Sequence, residues 1–136
     1  METTLPYDIE SENVLLGSVI KDIEEYDKVV KYFSERDVFY QEKAMLLWKL
    51  ITDMKRKGEH IDTLSVCSKI GKKESQKGLT KYYVSICTSD TCSKGAAEYY
   101  AVRIYEKYLL RKVIVKSEEI SEKAKSNDDD IYDKIN

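Results

Sequence analysis

Gly71-Lys72 invites a phosphate-binding reading. A phosphate loop runs G-x-x-x-x-G-K-[ST], because backbone amides must wrap the phosphates while a hydroxyl holds magnesium. Here the first glycine would fall at Val66, and Lys73 stands where the hydroxyl should be, so the stretch GKKESQKG reads as a solvated loop. A metal site would have to draw on Cys67, Cys87, Cys92 and the single His60. Structural zinc needs four ligands at short C-x-x-C type spacings, and these four residues are scattered over a candidate helix, a loop and a turn. One histidine permits a Cys–His pair, but no nucleophile signature surrounds any of the cysteines. Eleven tyrosines raise the possibility of base stacking, and Tyr99, Tyr100, Tyr105 and Tyr108 lie beside Arg103 and Lys107. Stacking platforms need a basic groove, and packing on a helix face accounts for the same spacing. No catalytic, cofactor-binding or metal-binding residue is therefore expected.

The composition agrees with a non-enzymatic module. The 136 residues fit one domain, with a hydrophobic fraction of 42% and a charged fraction of 35%. One proline and five glycines leave room for long helices. A net charge of −2 gives no electrostatic footprint for DNA, so any DNA contact should be weak or indirect. The odd cysteine count and the acidic, signal-free opening point to a reducing cytoplasm, and no apolar run is long enough for a membrane span.

Helical periodicity runs along most of the chain. Asp8 is a candidate N-cap, with Glu10 and Glu12 in the first turn and Ile9, Leu15, Leu16, Val19 and Ile20 behind it. Tyr26, Val29, Val30 and Phe33 mark a second, short helix. Ala44, Leu47, Trp48, Ile51 and Met54 line one face of a third, from about 41 to 57, which Gly58 stops. Trp48, mid-stripe, should be buried against the first helix. Asp62 is the next N-cap. The run from 79 to 87 reads as a helix, although YYVSIC would also pass as a strand. A long helix from about 96 to 124 precedes SNDDD, within which Asp128 can cap a last helix. Two helices about a short polar turn make a hairpin. Between Tyr108 and Val115 the first arm is apolar on most sides. Either it is the central helix of a bundle or it needs a partner surface.

Four segments in order resemble the N-terminal domain of DnaB-type replicative helicases. LPYDIESENVLLGSVI carries Pro6, Glu10, Glu12, Leu16 and Gly17. DVFYQEKAMLLWKLITDM carries Phe39, Tyr40, Leu47 and Trp48. KGEHIDTLSV carries Gly58, Ile61, Asp62 and Leu64, and EYYAVRIYEKYLLRKVI carries Tyr100, Ala101, Ile104, Glu106, Arg111 and Ile114. The chain departs from the pattern at Ala44-Met45, where a basic pair is usual, at His60 for a proline, and at Gly78-Leu79 for a double glycine.

The resemblance implies an all-α fold in one domain: a small helical bundle over about 1–95, then a helical hairpin over about 96–136 whose second arm is cut short. It implies a non-catalytic collar that pairs subunits within a hexamer and docks primase through the primase C-terminal domain, with a helicase loader as a further partner. ATP and magnesium would belong to a C-terminal ATPase domain outside this sequence. By position, Tyr82, Ile114 and Ile120 are the implied primase contacts, with Tyr82 the leading one. Tyr105, Tyr108, Leu109 and Val113 are the implied self-association residues. The alternative is a stand-alone phage or plasmid adaptor that mimics the collar.

Overall fold

The computed structural model describes residues 4–35, 37–89 and 92–126. Seven α-helices and one 3-10 helix make up the ordered elements among them, with no strand. The hairpin's proposed second arm and the Asp128 cap lie outside the described residues.

Helix α1, Ile9–Lys21, is the central element. Asp8 caps it, its carboxylate accepting from the Ser11 amide at 3.0 Å. Leu15, Leu16, Val19 and Ile20 are fully enclosed. α1 makes its most extensive contacts with α6, Lys81–Ser89, and α7, Ala97–Lys125, which flank it and share few contacts with each other. At the α6 crossing the backbones come so close that a Cβ on Gly17 would lie 1.7 Å from the Cys87 carbonyl oxygen. Only glycine allows that approach.

The second segment of the sequence splits into α2, Glu24–Val29, and a 3-10 turn, Val30–Phe33. Helix α3, Glu42–Arg56, buries the expected stripe of Ala44, Leu47, Trp48, Ile51 and Met54. Trp48 is buried, as expected, on a helix that packs against α1, and its ring partners come from other elements, since α1 has no aromatic residue. It stacks on Tyr26 of α2 at 4.9 Å and tilts against Phe33 at 4.8 Å and Phe39 at 6.1 Å. The aromatic residues of the 33–39 connection form the floor that the tryptophan covers.

Asp62 opens α4, Thr63–Ser68, with a reciprocal capping box to Ser65. The stretch expected to be a loop contains a short helix, α5, Lys72–Gln76. Its end explains why. Gly78 adopts φ of +101°, so the Leu79 amide reaches the Glu74 carbonyl at 3.1 Å and the Gly78 amide reaches Ser75 at 3.1 Å. That left-handed glycine closes a helical turn rather than a loop, and delivers Leu79 to the core. The 79–87 stretch is helical, not a strand, because Thr80 accepts from the Tyr83 amide at 3.1 Å and Tyr83, Val84 and Cys87 recur on one buried face of α6. No helix among the described residues is long and apolar enough to cross a membrane.

Candidate functional site: the free half of the long helix

Helix α7 has 29 residues and so spans about 43 Å. Its first half seals the bundle with Ala97, Ala101, Ile104 and Tyr108, spaced by four, three and four. Two polar clasps fix the angle at which it leaves. Arg103 pairs with Asp8 at 3.0 Å, tying α7 to the start of α1. Burial pulls the Asp8 carboxyl upward, but the Ser11 amide and Arg103 outweigh it and hold it below the ordinary range. Arg111 donates to the backbone carbonyls of Pro6 at 3.0 Å and Val38 at 2.8 Å, so one guanidinium ties to α7 both the lead-in to α1 and the stretch that leads into α3.

The 34–41 connection is held from its other side by Glu12. This carboxylate is almost wholly enclosed and accepts from the Tyr40 amide at 2.7 Å, the Gln41 amide at 3.2 Å and the Gln41 side-chain amide at 3.0 Å. Burial pushes the Glu12 carboxyl up, and those bonds with the nearby Arg111 charge recover only part of the shift. Glu12 and Arg111 were carried by the family resemblance as matching residues without a role. The structure gives them one: they lock α1, the connection and α7 into a single frame. A charged residue set inside each apolar run was the available signal.

Beyond this frame α7 runs out of core. From Val115 to Lys125 every residue is exposed. The apolar run that could have been a central bundle helix is not enclosed, since Leu109, Leu110, Val113 and Val115 all lie open to solvent. Leu109 is 42% exposed, Val113 61% and Ile120 60%. At 100° per residue Tyr105, Leu109, Val113 and Ile120 fall within about 80° of one another, on a single side of the helix. Spacings of four, four and seven also suit a partner helix crossing at a shallow angle. Tyr105 is half-buried, its ring 6.0 Å from that of Tyr32. Tyr108, grouped with these by sequence, is turned inward from the stripe, its ring 5.9 Å from that of Tyr105. It is 8% exposed, and its hydroxyl donates to Glu35 at 2.6 Å, placing it in the chain's own core. That bond, with Lys112 nearby, draws the Glu35 carboxyl below its ordinary range.

The other three candidates are not brought together within one protomer. Tyr82 stands on the outer face of α6 and is 76% exposed, and α6 has few contacts with α7. Ile114 is half-buried beside the frame, whereas Ile120 projects with the free half. A basic and apolar hollow of about 350 Å³ lies at the root of that half, between Leu5, Arg111, Lys112, Val115 and Lys116. No cluster of histidine, cysteine or acidic residues fit to hold a metal occurs among the described residues.

Comparison with known proteins places this architecture. No curated protein matches the chain. Among solved structures, the crystal structure of the N-terminal domain of DnaB helicase from Mycobacterium tuberculosis superposes with a TM-score of 0.82. It is 21% identical in sequence, and the match covers 91% of this chain and 90% of that one. At that identity the likeness speaks for the fold. The sequence profile described as "DnaB-like helicase N terminal domain" matches residues 4–106, which includes α1 to α6, the Glu12 anchor and the first part of α7. The chain belongs to the family of DnaB-like helicase N-terminal domains.

Proposed function

We propose that this domain is a collar module of a replicative helicase: it pairs with a second copy through the free half of α7 and docks primase through Tyr82, Ile114 and Ile120. The observation that carries the reading is the exposed apolar side of α7. Leu109, Val113 and Ile120 are too exposed to stabilise the monomer, and they share a side. Aligned apolar residues on a helix gain nothing in water and gain roughly 25 cal/mol per Å² once covered. Tyr105 extends the stripe toward the bundle, and Tyr108 fixes the stripe's direction from within.

Primase docking draws on two elements, α6 with Tyr82 and α7 with Ile114 and Ile120. Pairing through α7 would set Ile120 of one copy near the bundle of another, so the docking surface can be composite. Tyr82 is the expected anchor, because an exposed tyrosine offers a large rigid ring with a polar tip. Calorimetric titration with the C-terminal domain of the cognate primase tests this. Tyr82→Ala should weaken binding by about 1–2 kcal/mol with unchanged helicity. Unchanged affinity removes Tyr82 from the site, and affinity lost together with helicity marks it as structural.

A further inference from the structure

A second surface lies on α3 around from the aromatic floor, sharing Lys49 and Asp53 with that side, where neither α6 nor α7 contributes. Leu46, Lys49, Leu50 and Asp53 recur at i, i+3, i+4 and i+7, so they form one face of α3. They look across a cleft of about 290 Å³ at Lys69, Lys73, Glu74 and Lys77, from the end of α4 through α5. Leu46 and Leu50 are half-buried and form an apolar floor. The walls are cationic. Lys69 is paired with Glu59 at 2.7 Å, and Asp53 is taken up by Arg56. Lys49, Lys73 and Lys77 have no ion-pair partner among the described residues, and Glu74 is the one remaining acid that lines the cleft. In a chain of net charge −2 this is a local concentration of unneutralised positive charge around two leucines.

We propose that this cleft is a docking site for an acidic, leucine-bearing peptide segment of a partner protein. Each part of the cleft answers one part of such a segment. The leucine floor gives an apolar anchor its contact, and the three unpaired ammonium groups meet the flanking carboxylates. Because those groups are exposed, each contributes modestly to affinity and chiefly to selectivity and association rate, but reversing two of them replaces attraction with repulsion of the acidic segment. Nucleic acid fits less well. The cleft holds no aromatic ring on which a base could stack and no arginine to fork a phosphate, and leucines have no role against a sugar–phosphate chain.

The test uses the whole chain, ¹⁵N-labelled, with a synthetic amphipathic peptide of glutamate, alanine and leucine whose leucines recur at helical spacing. Amide shifts should concentrate in 46–53 and 69–77. A peptide with serine for leucine, and separately the Lys73→Glu/Lys77→Glu variant, should each weaken binding by about tenfold or more. Both lysines are exposed, so the variant should keep its helicity, and Lys73→Gln/Lys77→Gln should give a smaller loss in the same direction. Shifts that map elsewhere overturn the proposal, as does equal affinity for the serine peptide or for the charge-reversed protein. A thymidine oligonucleotide that displaces the peptide and binds more tightly overturns it in favour of a phosphate site.

Discussion

Gly17→Ala tests the packing logic of the bundle at its tightest point. The new methyl carbon would stand 1.7 Å from the Cys87 carbonyl oxygen, 2.4 Å from its carbon and 3.0 Å from the Thr88 nitrogen. Carbon–oxygen contacts normally stop at about 3.3 Å, so the two backbones must part by roughly 1.6 Å at the crossing. Every clashing atom is backbone, and no rotamer change can absorb the insertion. Overpacking of this kind typically costs about 1–3 kcal/mol and more where the neighbours are rigid. Alanine returns up to about 1 kcal/mol through its better helix propensity. Because the clash is with backbone alone, the cost lies at or above the top of that range and the net loss is expected to be about 2 kcal/mol or more, a large share of the roughly 5–15 kcal/mol that holds a domain together. Urea denaturation followed by circular dichroism reads it directly, with Cys87→Ala as the control. Because the obstacle is the carbonyl and not the thiol, Gly17→Ala/Cys87→Ala should recover nothing. A midpoint at or above wild type, or rescue by Cys87→Ala, would refute the close-approach argument.

Removal of the Arg111 guanidinium should release both backbone segments that it holds. Arg111→Ala is expected to cost about 1–3 kcal/mol and to raise amide exchange in 37–41, whose tethers to Glu12 alone remain; unchanged protection there would contradict the clasp. The pH response separates two kinds of carboxyl. Glu12 sits above its ordinary 4.5 when folded, so its ionisation opposes folding at neutral pH. That opposition is relieved as pH falls through the folded value toward 4.5. The stability of wild type relative to Glu12→Gln should therefore rise over that interval, and a difference that shrinks would show that burial does not dominate. Asp8 has the opposite sign. Its folded value lies below 3.8, so its contribution is present above 3.8 and lost as pH falls through the folded value. The advantage of wild type over Asp8→Asn should vanish in strong acid, as followed by denaturation midpoint.

Local rules carried most of the fold. The Asp8 and Asp62 caps, the stripe on α3 and the extent of α7 follow from side-chain oxygens, a 3.6-residue period and the scarcity of breakers. What was hidden is what depends on pairing across the chain. The Gly17 crossing is an example: the glycine was visible as part of a family motif, but its reason is a carbonyl seventy residues away. The ring partners of Trp48 are not legible in the sequence, because the 33–39 stretch, with no periodicity of its own, folds its aromatic rings inward. α5 was missed because a five-residue helix has too little sequence to show a period, and only the conformation of Gly78 reveals it. The candidate site divides in the same way. An apolar circumference at 108–115 announced an unusual surface, but only tertiary packing decides that Tyr108 lies inside, bonded to Glu35, while Leu109, Val113 and Ile120 lie outside.

The claim that rests on this division is self-association through the free half of α7. Sedimentation equilibrium over a wide range of protein concentration measures it, on the wild-type chain and on Val113→Glu/Ile120→Glu, two exposed positions whose change leaves the core intact. The account predicts a mass that climbs toward that of a dimer for wild type and stays monomeric for the variant, with equal helicity. A wild-type chain that remains monomeric at every concentration, or a variant that associates as strongly, would contradict it.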